Sequence, residues 1–260
     1  MELIMQSENA STENAVLTIG KNFDPHSGVA LVCALENQNL LSRSTMQGKT
    51  VLEVGCGSLP ACFGISDDLM PERYVATDVT NELIEAARQI DQRPIYKVES
   101  ANASSFSPHS FDLIIMRGVL HHLPDPAAAL KELKHLLKPG GQLLLYEPNL
   151  SSLPGNLMKW ILWNFFKIDM EESPYGQLPQ KSIRQAIQKA EFQLVAVWYS
   201  SLLAFPLTGD YGRRPILPNR ISLFQKIIAV DRFASSILHR IPILAKWSHL
   251  RVVFQLETAK

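Results

Sequence analysis

Carboxylates, glycines and imidazoles recur in this chain where strands should end. The first group lies in Thr50-Val51-Leu52-Glu53-Val54-Gly55-Cys56-Gly57-Ser58-Leu59-Pro60. Its apolar, β-branched start suits a strand buried on both faces of a parallel sheet. Gly55 and Gly57 then let the backbone turn sharply and approach a ligand with no Cβ in the way. Pro60 suits the first turn of a following helix, where its missing N–H would be unpaired anyway. The order strand, glycine turn, helix places a nucleotide-type site at the carboxyl edge of an open α/β sheet. Glu53 is a carboxylate near the end of an otherwise apolar strand, costly to bury alone. A cationic or hydrogen-bond-donating ligand end would pair with it.

A second strand, Arg73–Thr77, ends at Asp78, about 20 positions past the glycine turn, the spacing from which an acid accepts from ribose hydroxyls. The same residue could instead cap the helix that follows. His121 and His122 come after a strongly apolar strand, Phe111–Met116, and Glu147 stands at the mouth of the next strand, Gln142–Tyr146. Any of the three could take a proton from an acceptor that is protonated at neutral pH. Glu147 is limited by an ordinary carboxylate pKa of about 4.3 unless burial raises it. The histidines could equally be helix-start residues satisfied by backbone. Arg117 either pairs with an anionic group or snorkels as a structural side chain.

Glu-x-Gly-x-Gly, from Glu53 to Gly57, resembles the first motif of the class I S-adenosylmethionine-dependent methyltransferases, and the resemblance continues to about Asn149. His121-His122-Leu123-Pro124-Asp125-Pro126 closely resembles a stretch of the small-molecule and quinone-pathway methyltransferases. Leu59 departs from the family, which usually has a third glycine there. The resemblance implies a Rossmann-like, doubly wound α/β fold: a mostly parallel seven-stranded sheet with an antiparallel last strand, plus helical cap inserts. It implies S-adenosylmethionine as cofactor, held by Glu53, Gly55, Cys56, Gly57, Asp78, Val79, Asn102, Ala103 and Arg117. Asn102 matches the place of a family aspartate that accepts from the adenine amino group, and its carbonyl oxygen can do the same; a plain turn residue is the alternative. Arg117 would meet the methionine carboxylate or an anionic acceptor. Methyl transfer from a sulfonium needs mainly alignment, with His121, His122 or Glu147 as base where the acceptor must lose a proton. In the family an N-terminal helix often helps close the site, which brings Phe23 toward the acceptor.

The elements that must position these groups are legible in outline. Asp24-Pro25 signals a helix start, with Val29, Val32, Leu35, Leu40 and Leu41 on one face. Thr80 can cap a helix carrying Leu83, Ile84, Ala87 and Ile90. Pro94–Val98 reads as the third strand, residues 126–137 as a helix, and Lys138-Pro139-Gly140-Gly141 as a stop-and-turn signal. Pro179 opens another helix, Phe192–Tyr199 and Arg251–Leu256 read as strands, and residues 220–239 as a long apolar-rich helix. The expected organisation is one domain over 1–260. It comprises an N-terminal helical segment (1–45, the first 20 residues polar and poorly ordered), a cofactor-binding core (46–150), cap inserts (151–178 and 205–246), and segments completing the sheet (179–204 and 247–260).

Composition narrows the acceptor. Charged residues are 19%, below the usual share of about 25%, so apolar surface is expected as a cavity or a partner face. Residues 201–260 carry 9 Lys/Arg against 3 Asp/Glu, while residues 1–200 carry 16 against 22. These basic residues are dispersed among Leu, Ile and Phe, without the clustered patch of a nucleic-acid binder. A solvated helix face, or contact with anionic lipid or an anionic substrate, accounts for them. The inserts hold Trp160, Trp163 and Phe224, expected to line a pocket for a small hydrophobic acceptor such as a natural product, lipid or quinone-like ring; core packing or a homodimer interface is the alternative. Weak membrane-surface contact is compatible with the same residues. Cys33, Cys56 and Cys62 lack disulfide or zinc spacing, no metal site is expected, and the N-terminus lacks a signal-peptide layout, so the cytoplasm is the default. A nicotinamide oxidoreductase would need a small residue at Pro60. A non-catalytic S-adenosylmethionine-binding regulator or partner subunit is the main competing function. A protein or tRNA acceptor is disfavoured by the weak basicity and the apolar cap.

Overall fold

A computed structural model describes residues 23–100, 105–166, 178–208 and 216–258. The expected disorder of residues 1–20, and Asn102 and Ala103, lie outside the described residues. Seven strands form one sheet: β1 (Thr50–Val54), β2 (Arg73–Asp78), β3 (Ile95–Val98), β4 (Phe111–Arg117), β5 (Leu137–Pro148), β6 (Gln193–Ser200) and β7 (Arg251–Glu257). Their spatial order is β3-β2-β1-β4-β5-β7-β6. β1 pairs in parallel with β2 and β4, β2 with β3, and β4 with β5, whereas β7 runs antiparallel to both β5 and β6. This is the Rossmann-like sheet with an antiparallel last strand that the resemblance implies. The chain winds outward from β1 to β2 and β3, then returns to its other side at β4. A crevice therefore opens at the carboxyl ends of β1 and β4.

The helices are α1 (Gly28–Leu41), α2 (Asn81–Ile90), α3 (Pro126–Leu136), α4 (Leu153–Phe166), α5 (Gln180–Lys189), α6 (Ala204–Leu207), α7 (Ile221–Leu238) and α8 (Pro242–Ser248). Strand alternation sorts the core. Ile114 and Met116 of β4 pack with Leu130, Leu133 and Ile183 beneath α3 and α5. Leu113 and Ile115 face the other way, toward Leu40, Leu41 and Ile84 of α1 and α2. Asp125 caps α3 by accepting from the Ala127 and Ala128 N–H groups, each at 3.0 Å, with Pro126 in the first turn. The Leu-Pro-Asp-Pro stretch is thus a helix start that fixes where the preceding histidines stand.

Three local expectations are corrected. No helix follows the glycine turn: residues 57–64 form a series of turns, with Phe63 N–H donating to Pro60 O and Ile65 N–H to Cys62 O. Leu59 is buried there against Val29 and Cys33 of α1. The stop signal Lys138–Gly141 lies inside β5, as an irregularity: Leu137 pairs with Phe111 and Gln142 with Leu113. The strand resumes because Leu143 and Leu145 belong to the core. Finally, α1 starts at Gly28 and not at Pro25; Ser27 is the cap, accepting from Ala30 N–H.

Candidate functional site

The glycine turn is tied to the end of β2. Gly55 and Cys56 N–H groups donate to Thr77 O at 2.8 and 2.9 Å, and Gly57 N–H donates to Asp78 Oδ2 at 2.9 Å. Asp78 Oδ1 accepts from Thr80 N–H at 3.1 Å, so one aspartate holds the turn and the start of α2. Gly57 has φ +59°, and a Cβ there would meet no atom within 4 Å; the space above it is open. Gly55 has the opposite reason to be glycine: its Cβ would stand 2.2 Å from Val119 Cγ2. That contact docks the segment carrying the histidines onto the turn. Val79 is 64% exposed beside Asp78 and offers an apolar surface.

Glu53 is paired within the chain. It is fully buried, and its carboxylate accepts from the Ala61 N–H at 2.9 Å and from Tyr74 Oη–H at 2.8 Å. Arg117 Nη2 lies 3.5 Å from Glu53 Oε1. Arg117 also donates to Asn37 Oδ1 at 2.7 Å and to Leu59 O. Burial pushes the Glu53 carboxyl up, against the pull of Arg117. The two residues form an internal clamp on the turn. Asn37 completes it by donating to Phe63 O at 2.9 Å and Pro60 O at 3.3 Å, which fastens α1 over the turn.

At the neighbouring strand ends, His121 Nδ1 stands 2.5 Å from Glu147 Oε2. Glu147 Oε1 accepts from Leu120 N–H at 2.9 Å. Glu147 is 1% exposed and is paired to the imidazole. The Nδ1–H bond fixes the tautomer and leaves Nε2 as the basic nitrogen of His121. His122 stacks nearby, ring centroids 4.1 Å apart. Burial, and then the charge of His121, push the His122 imidazole down to about 4. The two histidines that sequence could not separate thus differ: one is oriented by a carboxylate, the other is held neutral.

The remaining expected site residues scatter. Phe23 packs edge-on against Phe63, centroids 5.4 Å apart, next to Leu59 at the glycine turn. Phe224 is 1% exposed and packs with Val32 and Leu35 between α7 and α1, where its ring would collide with any Cβ on Gly28. Its place as a pocket wall is corrected to core packing. Trp160 is 56% exposed, edge-on to Phe165, and the Trp163 side chain lies outside the described residues. Burial pushes all three cysteine thiols up, Cys33 to about 12, which removes them as nucleophiles at neutral pH. Among the described residues no group of three His, Cys, Asp or Glu side chains could hold a metal ion. Sequence reasoning missed Asn37 and Tyr74. Asn37 had a signal, since it falls one turn after Cys33 on the apolar face of α1.

A nucleoside-bearing cofactor fits what is present. Gly57, with open space where a Cβ would stand, Asp78 and the exposed Val79 all lie just past the carboxyl ends of β1 and β2.

Residues 52–143 match the family described as a methyltransferase domain. A ubiquinone biosynthesis O-methyltransferase of Xylella fastidiosa is 34% identical over 137 residues, covering 47% of this chain and 52% of that protein. The chain therefore spans about half the length of the curated relatives it matches. Among solved structures, phosphoethanolamine N-methyltransferase 2 of Haemonchus contortus with S-adenosyl-L-methionine superposes with TM-score 0.55 at 17% identity, over 87% of this chain and 53% of that one. An S-adenosylmethionine dependent methyltransferase of Mesorhizobium loti gives TM-score 0.52 at 12% identity, over 85% and 97%. The structural likenesses carry the fold alone, and the sequence match is confined to residues 52–143. Residues 52–143 are thus similar to the methyltransferase domain, and the chain has the fold of the S-adenosylmethionine-dependent methyltransferases it superposes on.

Proposed function

We propose that the protein methylates a hydroxyl of a small, hydrophobic acceptor, a phenol-like or quinol-like ring being the class that suits the site. The observation that carries this is the His121–Glu147 pair, two residues beyond the Val119 contact with Gly55. A carboxylate-oriented imidazole is needed only where the acceptor must give up a proton; an amine acceptor would not require it. The Xylella relative, a ubiquinone biosynthesis O-methyltransferase, supports oxygen and a ring. The scarcity of charge supports a hydrophobic acceptor.

When bound, S-adenosylmethionine supplies an electrophilic sulfonium methyl. Gly57 and Asp78 would hold its nucleoside part, with Val79 against the flat ring and Asn102 and Ala103 as the expected adenine edge. Glu147 accepts from His121 Nδ1–H and stabilises the imidazolium that forms when Nε2 takes the acceptor proton. The Glu53–Arg117–Asn37 clamp keeps the turn in place while this happens. The test is a panel of phenolic, quinol and amine acceptors with the purified protein, following formation of S-adenosylhomocysteine. Turnover of phenolic or quinol substrates that falls sharply in His121→Ala supports the reading. Tight cofactor binding with no turnover of any acceptor would favour the non-catalytic regulator or partner subunit.

A further inference from the structure

Helix α7 is apolar on two opposite sides. Phe224 and Asp231 point inward, both buried. On the opposite side Lys226, Val230, Phe233 and Ile237 recur at helical spacing, all exposed, with Phe233 at 70%. A surface helix normally has polar residues there. α8 packs against both α7 and α4 and repeats the pattern: Ala245 is buried while Ile243, Leu244 and Trp247 are exposed. On α4, Leu153, Leu157 and Trp160 form a third exposed stripe at i, i+4, i+7. Three helices, α8 touching each of the other two, therefore each carry apolar residues that the described residues leave exposed.

The charge around these residues is of one sign. α4, α7 and α8 carry Lys159, Lys226, Arg232 and Lys246, and Arg240 lies between α7 and α8. Their one acid is Asp231, which is buried and accepts from the Leu203 and Ala204 N–H groups at 2.7 and 2.6 Å. A second copy of this face, related by a twofold axis, would set cations against cations. An anionic phospholipid surface complements both features, with exposed Trp160 and Trp247 at the depth where indole rings settle. No described helix is long and apolar enough to cross a membrane, which leaves docking in the interfacial plane.

We propose that α4, α7 and α8 form a docking face for an anionic phospholipid bilayer surface. α4 follows the carboxyl end of β5, and α7 and α8 lie between the end of β6 and the start of β7. Docking would therefore set the bilayer on the same edge of the sheet as the catalytic residues. The proposal does not depend on the methyl-transfer reading, because it is read without turnover.

The test is flotation of the full chain with vesicles of phosphatidylcholine alone and of phosphatidylcholine mixed with phosphatidylglycerol. Binding is expected to the mixed vesicles, weakening as salt screens the cations. Phe233→Ser and Trp247→Ser should each weaken it about tenfold, as expected for one interfacial aromatic. Lys226→Glu, at a solvated position that folding tolerates, should weaken binding to the anionic vesicles about fivefold or more and leave cofactor affinity unchanged. Failure to float with either vesicle overturns the proposal. If sedimentation velocity then shows a dimer that Phe233→Ser dissociates, the face belongs to a second copy instead. Equal binding to neutral and anionic vesicles, unaffected by Lys226→Glu, also overturns it as an anionic-lipid site.

Discussion

Glu53 and Glu147 are carboxylates at the carboxyl ends of parallel strands in one sheet, both almost wholly buried. Glu53 is surrounded by Tyr74, the Ala61 N–H and Arg117, whose side chain is 13% exposed. Glu147 uses one oxygen on the Leu120 N–H and the other on His121, whose side chain is 12% exposed. The first carboxylate holds a loop, while the second aims a proton acceptor outward. Burial does not distinguish the two acids, and neither does the exposure of the partner, since Arg117 is 13% and His121 12% exposed. The partner's chemistry does, because a guanidinium keeps its protons whereas an imidazole can take one up. Substitutions at the two should therefore fail in different ways.

The largest effect is expected at Glu53. Glu53→Ala leaves the Arg117 guanidinium buried without its carboxylate, a change worth about 3–5 kcal/mol of stability. Arg117→Met should cost less, because Glu53 can neutralise itself by taking a proton whereas arginine cannot. Urea unfolding of the two variants measures both, and equal losses would mean that the ion pair is not what holds the turn. At Glu147 the prediction concerns rate. His121→Ala should lower turnover of a phenolic acceptor 10²–10⁴-fold, the usual scale of a general base. His122→Ala should stay within about tenfold, since an imidazole held near pKa 4 is a weak base at neutral pH. Glu147→Gln should reduce kcat with little change in cofactor affinity, and a fall in KM alone would count against its positioning role.

Asp78 is intermediate between the two, since it braces the turn and is also the residue proposed to hold the nucleoside part of the cofactor. Asp78→Ala should weaken cofactor binding by about 1.5–3 kcal/mol. Asp78→Asn separates the two functions: it can still accept from Gly57 N–H but loses the charge. Calorimetry showing full affinity in both variants would confine Asp78 to bracing.

Local chemistry made the fold and half of the site legible. β1, the glycine turn, Asp78 and the apolar β4 are each written in consecutive residues, so periodicity and glycine placement suffice for them. What was not legible depends on contacts distant in sequence. Glu53 meets Arg117 at 64 positions' remove and Tyr74 at 21, and nothing near Glu53 announces either partner. Pro60 carries a valid helix-start signal, yet that segment forms turns, with Leu59 packed on α1 and Asn37 of α1 bonded to Phe63 O. The Lys138–Gly141 stop signal is overridden by β4 pairing on both sides of it. Phe224 was assigned to a pocket because α7 is apolar on both faces, and sequence periodicity cannot say which face turns inward. The His121–Glu147 pairing was named as two separate candidates, since only strand register brings the end of β5 beside the end of β4.

The smallest effect, read over a single pH unit, concerns His122 and His249. His249 is fully buried, stacks on His239 with centroids 4.6 Å apart, and bonds Ala245 O and Ser235 Oγ. Burial pushes both imidazoles down from about 6.5 to about 4. A histidine whose folded pKa is depressed contributes stability that is complete above about 6.5. That contribution is lost as pH falls toward 4, because the unfolded chain takes up the proton first. Glu36 and Glu53 act with the opposite sign. Burial raises both carboxyls, so their contribution grows as pH falls through the raised folded values and partly masks the histidines. The net slope of the wild type is therefore uninformative, and the difference between variants is what counts. His122→Asn removes one titrating group and should make acid destabilisation between pH 6.5 and 4 shallower by at most about 1.4 kcal/mol per pH unit. Urea unfolding at pH 7, 6 and 5 would show it. A variant with the wild-type slope would mean that His122 is already charged in the folded protein, and the contrast drawn between it and His121 would then fail.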